Sequence, residues 1–101
     1  MKLYLSGPIT GVKDYKTRFA IAECRLNMMG YDTINPAELT RVMPSGATYE
    51  DYMNICMELL ALADAVVLLP GWEKSTGANR EMGYALGADK IVLEYGELVK
   101  S

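Results

Sequence analysis

Histidine is missing from this chain, and three other residue types are scarce: it has two Cys, one Trp and one Phe. Without histidine the chain lacks the commonest general base, the commonest metal ligand and any Ser-His or Cys-His nucleophile pair. Cys24 and Cys56 fit no metal or redox spacing, and we expect both to be buried thiols among apolar neighbours. Acid-base chemistry must therefore use carboxylates, tyrosine, lysine or water, and we expect neither a metal nor a cofactor.

Long apolar runs and an excess of basic residues are also missing. No run approaches membrane-spanning length, and the amino-terminal stretch has no signal-peptide pattern. The chain has 13 acidic and 10 basic residues, a formal charge of -3, and it lacks the basic cluster that polynucleotide binding needs. These features predict a cytoplasmic protein that binds neither membranes nor nucleic-acid strands, whereas a free nucleotide remains compatible with them.

The composition is that of one globular domain, with 50% hydrophobic and 23% charged residues. We therefore expect residues 1–101 to form a single domain. Three helical patterns separate four strand-like segments, at 2–6, 31–35, 65–69 and 90–95. This alternation predicts an α/β fold of the flavodoxin-like or Rossmann-like kind, with three layers. The four-stranded parallel sheet would have the order 2-1-3-4 and helices on both faces.

Two loops mark the expected ligand site. In such a sheet, ligands bind beyond the carboxyl ends of the strands, where the strand order reverses. That point lies between the first and third strands, which are followed by loops 7–11 and 70–76. Ser75 or Thr76 can cap the helix that follows, and Gly77 allows a close approach of backbone to ligand.

Glu81 lies about a turn and a half into this helix, where the helix dipole favours an ionised carboxylate. Helical spacing predicts the following residues for the sheet-facing stripe: Ala78, Met82, Ala85 and Leu86. Glu81 lies off the centre of that stripe. A first-turn carboxylate on a solvated helix is therefore the simplest interpretation of Glu81 from periodicity alone, and the residues around it point to a function instead.

Three blocks of sequence, which together span nearly the whole chain, resemble the nucleoside 2-deoxyribosyltransferase-like superfamily. They are Tyr4-Leu5-Ser6-Gly7-Pro8-Ile9-Thr10-Gly11, Asn35-Pro36-Ala37-Glu38, and the stretch from Asp64 to Ala85. The chain is most similar to the short, mostly uncharacterised branch with many phage-encoded members. In that superfamily the glutamate of a Glu-x-Gly-x-Ala segment is the nucleophile that attacks the anomeric carbon, and it matches Glu81.

The resemblance implies cleavage of an N-glycosidic bond in a nucleoside or a nucleoside 5′-monophosphate. The departing base leaves an oxocarbenium-like sugar, which requires an anion on one face and protonation of the base. A glycosyl ester on Glu81 would then be resolved by another base or by water. By the same resemblance, the ligand would contact Ser6, Gly7, Pro8, Ile9, Thr10, Glu38, Trp72, Ser75 and Gly77.

Two departures from the superfamily pattern concern the ligand. Ser75 stands where nucleoside-using transferases have an aspartate that helps to protonate the base. Ser75 and Gly77 together resemble relatives that use 5′-monophosphates. Those relatives carry an arginine where this chain has Thr10, so Lys74 or Lys13 would have to supply the positive partner of a phosphate.

A third departure concerns the chemistry. Cys56 stands where the superfamily has a second carboxylate, for which Asp51 or Asn54 are possible substitutes. Glu38 and Glu73 are both candidates for the general acid. The leading hypothesis is a hydrolase or deoxyribosyltransferase, the second is a non-catalytic nucleotide-binding module, and the third is a mainly structural oligomer.

Two aromatic residues are candidates for stacking on a nucleobase. We expect Trp72, beside Gly71 in a turn, to be half-buried or exposed at the rim of a pocket, because a core tryptophan needs a partner for its N–H group. Tyr4 alternates on a central strand, where positions in the core and in the site are equally compatible with the pattern.

The helix after Thr48 is apolar on several sides. Thr48 and Asp51 predict a capping box at its start, and its polar residues share one narrow face. Such a helix packs against more than one surface. We expect a second subunit there, and hence a homo-oligomer, or alternatively the loop 35–46 of the same chain. That loop is long for so small a domain, which makes it a candidate lid over the site.

Overall fold

The computed structural model describes residues 1–100 of the chain, so residue 101 of the expected domain lies outside the described residues. The strands are β1 (Lys2–Ser6), β2 (Asp32–Ile34), β3 (Ala65–Leu68) and β4 (Ile91–Glu94). They form one parallel sheet in the order β2-β1-β3-β4, as predicted. The helices are α1 (Tyr15–Met28), α2 (Tyr49–Ala61), α3 (Thr76–Gly87) and α4 (Tyr95–Leu98), and 3₁₀ helices cover Pro36–Arg41 and Trp72–Lys74.

The two central strands are buried on both faces, as parallel strands between helical layers are. Leu3, Tyr4 and Leu5 of β1 have no exposed surface. Their side chains alternate, so that Leu3 and Leu5 pack on the α1 face while Tyr4 packs on the face covered by α2 and α3. Ser6, two residues after Tyr4, continues the second face. The alternation of β1 thus decides which polar side chains can meet α3.

Helix α1 covers the first face of the sheet with Phe19, Ala22 and Leu26, all of which are buried. Cys24 is exposed, which makes the prediction of a buried thiol wrong. At about 100° per residue, Cys24 lies almost opposite Ala22 on the helix and points away from the sheet. Among residues 1–100, no helix combines the length and the apolar character needed to cross a membrane.

Helix α2 covers the second face with Met53, Cys56 and Leu60. The capping box is present as predicted: the N–H of Asp51 donates to Thr48 Oγ1 at 3.1 Å, and the N–H of Thr48 donates to Asp51 Oδ2 at 2.8 Å. The outer side of α2 carries the exposed Ile55, and Leu62, which follows the helix as its C-cap, is exposed as well. Because these apolar side chains are exposed, residues 35–46 do not cover this side of the helix.

Of the residues that periodicity predicted for the sheet-facing stripe of α3, Ala78, Met82 and Ala85 pack in the core and Leu86 does not, while Glu81 is buried with them. Ala78, Glu81 and Ala85 are buried, whereas Leu86 is 58% exposed. Positions separated by three and four residues lie on one face of a helix. Glu81 is therefore a member of the sheet-facing stripe, with Ala78 and Ala85 on either side of it.

The loops after β1 and β3 come together at the carboxyl edge of the sheet, as the strand order predicts. The backbone N–H of Leu69 donates to the carbonyl of Ser6 at 2.7 Å. A Cβ placed on Gly7 would lie 2.9 Å from the Cβ of Leu69, and one on Gly71 would lie 3.3 Å from Pro8. Gly71 has a φ of 88°, a conformation that glycine adopts without strain. The two glycines thus allow these loops to approach.

Replacing Gly7 tests this close approach. We expect Gly7→Ala to lower the free energy of unfolding by about 1–3 kcal/mol, because its Cβ would overlap Leu69 and force the strand ends apart. Gly46→Ala is the matched control, since nothing lies within 4 Å of a Cβ at that position. Urea unfolding of both variants measures the difference, and equal midpoints for the two would contradict the expectation.

Candidate functional site

The side chain of Glu81 is buried between α3 and the end of β1, with 6% of the residue exposed. The hydroxyl of Tyr4 donates a hydrogen bond to its Oε2, and the hydroxyl of Ser6 donates to its Oε1 at 2.6 Å. Tyr4 and Ser6 can both reach it because residues two apart on a strand lie on the same face. Each oxygen of the carboxylate thus has a hydroxyl partner, which holds the plane of the carboxyl group in one orientation.

The pKa of Glu81 is shifted in the direction opposite to the sequence-based expectation. Burial raises the pKa of the Glu81 carboxyl, while the hydroxyls of Ser6 and Tyr4 and the positive charge of Arg80 act in the opposite direction. The predicted effect of the helix start, an easily ionised carboxylate, is therefore outweighed by desolvation. Burial and the nearby carboxylate also raise the pKa of Tyr4, so that its hydroxyl stays a hydrogen-bond donor.

Cys56 forms the α2 side of this cluster. The residue is buried and belongs to the same core cluster as Tyr4. Burial raises the pKa of the thiol, which therefore stays neutral. Asp51 and Asn54 are exposed on α2, and the carboxylate of Asp51 is engaged in the capping box. Within residues 1–100, Cys56 thus places a neutral group where the resemblance predicts a second carboxylate.

The loop between β3 and α3 is held by its own side chains. Ser75 is the N-cap of α3 and accepts the N–H of Ala78 at 3.2 Å, as one of the two predicted caps. Trp72 is half-buried, as predicted, and packs against the core cluster that includes Tyr4 and Leu68. Its indole N–H donates to Glu94 Oε1 at 3.2 Å. The ring of Trp72 is thereby tied to the end of β4.

The starts of α2 and α3 are joined next to Gly77. A Cβ on Gly77 would lie 3.5 Å from the hydroxyl of Tyr49, so the glycine leaves little space between the two helices. Arg80 donates to both carboxylate oxygens of Glu50, at 2.8 and 3.3 Å, and its guanidinium lies 5.7 Å from the centre of the Tyr49 ring. The guanidinium also lowers the pKa of Glu50. Nothing in the local sequence indicates this pair, because 30 positions separate the two residues.

The other candidate residues lie farther from the carboxylate. Ile9, Thr10 and Glu38 are exposed, and Glu38 forms an ion pair with Arg41 at 3.0 Å. Pro8 lines a cavity of about 210 Å³ on the α1 face. Glu81 does not line that cavity.

The structure therefore gathers only part of the predicted set on the α3 face. Tyr4, left undecided by the sequence, has its ring in the core and its hydroxyl in the site, so it is not placed to stack on a base. Periodicity on β1 is the signal that could have assigned Tyr4 and Ser6 together to Glu81. Glu94, by contrast, has no local signal, because only the pairing of β4 with β3 brings it to Trp72.

The chain is similar to a known protein family and to solved structures. The family described as a domain of unknown function, DUF4406, matches residues 1–94. No curated protein matches the chain.

Two solved structures share the fold. One is a 2-deoxyribosyltransferase from the psychrotolerant bacterium Bacillus psychrosaccharolyticus, with a TM-score of 0.74 and 21% identity over 93% of this chain and 71% of that one. The other is a 2-desoxiribosyltransferase from Leishmania mexicana, with a TM-score of 0.71 and 16% identity over 92% of this chain and 62% of that one. The chain thus has the 2-deoxyribosyltransferase-like fold and spans 62% of the length of the second protein.

The raised pKa of Glu81 makes stability depend on pH. The folded protein holds this proton more tightly than the unfolded chain, so its stability falls as pH rises from 4.5, the ordinary value, through the raised pKa. We expect Glu81→Gln to escape this loss, and its stability relative to the native protein to increase over that window. The gain is about 1.4 kcal/mol for each pH unit that separates the two pKa values.

Chemical denaturation of both proteins at a series of pH values measures this difference. Glu58→Gln, at an exposed position of α2, is the control for removing a negative charge. A difference that stays constant between pH 4 and pH 8 would contradict the expected burial of the Glu81 proton.

Proposed function

We propose that this chain, which belongs to the DUF4406 family, cleaves the N-glycosidic bond of a nucleoside or a nucleoside 5′-monophosphate with Glu81 as the nucleophile. The observation that carries the proposal is a buried carboxylate at the point where the strand order reverses, with a hydroxyl donor on each of its oxygens. A structural glutamate on a solvated helix face has no need of either partner. This arrangement favours a carboxylate whose orientation matters.

The proposed reaction has two steps. A carboxylate oxygen of Glu81 forms a bond to the anomeric carbon as the bond from that carbon to the base nitrogen breaks. The electron pair of the broken bond stays on the base, which takes up a proton from the solvent, and the sugar remains as an ester on Glu81. Water or the nitrogen of a second base then attacks the same carbon and loses its proton to the solvent, and the carboxylate is released. Tyr4 and Ser6 hold the plane of the carboxylate during both steps.

The class of ligand is inferred from the surrounding residues and from the fold. Trp72 offers an aromatic face at the carboxyl edge for a nucleobase. The similarity to 2-deoxyribosyltransferases supports a nucleoside as the ligand. Ser75 and Gly77 resemble the corresponding pair in relatives that use 5′-monophosphates, which favours a phosphorylated nucleoside. Lys13 and Lys74, both exposed, are the candidates for pairing with that phosphate.

A second candidate function is a nucleotide-binding module without catalysis. Two observations favour it. Cys56 provides a neutral thiol where the resemblance implies a carboxylate, and Glu81 has only 6% of its surface exposed. A sugar therefore reaches the carboxylate only if neighbouring side chains move aside. Both functions predict that a nucleotide binds, but only the first predicts that it is converted.

Turnover on a panel of substrates separates these functions. The purified protein is incubated with nucleosides and 5′-monophosphates, with and without an acceptor base, and chromatography measures freed or exchanged base. We expect release or exchange that falls by about 10³-fold or more in Glu81→Ala and Glu81→Gln, because both remove the nucleophile. Glu58→Gln, on the exposed side of α2, should keep the native rate.

Binding measured by calorimetry on the same panel completes the test. Retained binding by Glu81→Gln with no turnover supports the enzyme. Saturable binding of one nucleotide by the native protein, with no turnover of any substrate, would overturn the enzyme and support the binding module.

The two hydroxyls give a further prediction for the pH dependence of turnover. The hydroxyls of Ser6 and Tyr4 each favour the ionised form of Glu81, whereas burial opposes it. The other groups that face this carboxylate are Arg80 of α3, which also favours the ionised form, and the neutral Cys56 of α2. We expect Ser6→Ala and Tyr4→Phe each to move the acid limb of kcat/KM to higher pH, because the nucleophile must be ionised. An acid limb that keeps its position in both variants would show that these hydroxyls do not control the nucleophile.

A further inference from the structure

Asn79, on α3 two positions before Glu81, forms three hydrogen bonds to the backbone of the preceding loop. Its carboxamide nitrogen donates to the carbonyls of Trp72 at 3.2 Å, Glu73 at 3.1 Å and Ser75 at 2.8 Å. The orientation of the amide follows from these partners, since its oxygen in that place would face three carbonyl oxygens. One side chain thus binds three of the four carbonyls of the 72–75 turn.

The same turn is tied from the other side through Trp72. The indole N–H donates to Glu94 at the end of β4, and Trp72 packs against the core cluster that includes Tyr4 and Leu68. The backbone N–H of Ser75 also donates to the Trp72 carbonyl, at 3.0 Å. Trp72 is therefore held at its ring by β4 and at its carbonyl by the start of α3. Removing the Asn79 carboxamide weakens the hold on the second of these ends, which then depends on the Ser75 N–H.

We infer that Asn79 is a positioning residue for ligand binding: it holds the 72–75 turn so that Trp72 presents a fixed face to the nucleobase. This inference rests on the proposed function for its ligand. Asn79 hydrogen-bonds to backbone only and needs no contact with the substrate or with Glu81. A turn that is ordered before the ligand arrives spares the ligand the entropic cost of ordering it, which tightens binding.

The predicted consequence is a loss of affinity with little loss of chemistry. Without the carboxamide, each of the three carbonyls loses a donor, although backbone N–H groups still donate to the carbonyls of Trp72 and Ser75. The turn then gains conformations that do not bind. We expect Asn79→Ala to raise Kd and KM for the best nucleotide of the panel by about 10-fold. The change in kcat should be smaller, because Glu81, Tyr4 and Ser6 keep their hydrogen bonds. Asn79→Asp should have the larger effect, since a carboxylate repels the same three carbonyls.

The three hydrogen bonds from Asn79 to the 72–75 turn are here called the clamp. The fluorescence of Trp72 tests the clamp without any ligand. Trp72 is the chain's single tryptophan, so acrylamide quenching and anisotropy of its emission report on this turn alone. We expect quenching to rise in Asn79→Ala and further in Asn79→Asp, at temperatures well below the melting point of each variant. Asn27→Ala is the matched control, because Asn27 is an exposed asparagine on α1 that accepts a hydrogen bond from Thr33.

The outcomes separate the inference from the proposed function. Trp72 quenching equal to that of the native protein in both Asn79 variants overturns the clamp, whatever the protein binds. Raised quenching with unchanged Kd and KM overturns the link between the clamp and the ligand. A native protein that neither binds nor converts any member of the panel overturns the proposed function and the ligand part of the inference, while the quenching result still decides whether the clamp exists.

Discussion

A carboxylate held between a helix and the end of a central strand is the interaction on which the architecture of the site depends. Glu81 occupies a position of α3 that an apolar side chain would otherwise fill, between Ala78 and Ala85. Burial of an unpartnered charge costs several kcal/mol or more, and donors on both oxygens reduce that cost. Tyr4 and Ser6 supply those donors from one face of β1. The pairing of a strand position with a helix position therefore constrains both elements at once.

The geometry of the loops follows from this pairing. For Ser6 to reach Glu81, the ends of β1 and β3 must lie side by side, which Gly7 permits by leaving room for Leu69. The turn that leads from β3 into α3 must then reverse within a few residues. A glycine at φ 88°, a 3₁₀ helix and the N-cap Ser75 accomplish that reversal. The side chain of Asn79, on α3, hydrogen-bonds back to the turn that precedes this helix.

The sequence predicted regular elements better than it predicted which of their residues are buried. Alternating strand and helix patterns, with right-handed crossovers, led to the observed strand order. Capping at Thr48 and Ser75 followed from local chemistry and was confirmed. Cys24 and Leu86 were assigned to the core and are exposed. Periodicity limits the buried face of a helix only to within about one residue on either side, and the neighbouring layer selects among them.

Local physics in the chain was sufficient for the fold class, the order of the strands and the place where the two loops meet, whereas the choice of Glu81 rested on the resemblance to a known superfamily. The first three depend on patterns within about ten residues or on a general rule of handedness. Tertiary structure alone decided the surroundings of Glu81. Its hydroxyl partners lie 75 and 77 positions away, and desolvation, which raises its pKa, exists only once the sheet covers it. Burial and pairing are properties of the packed layers, so no stretch of sequence contains them.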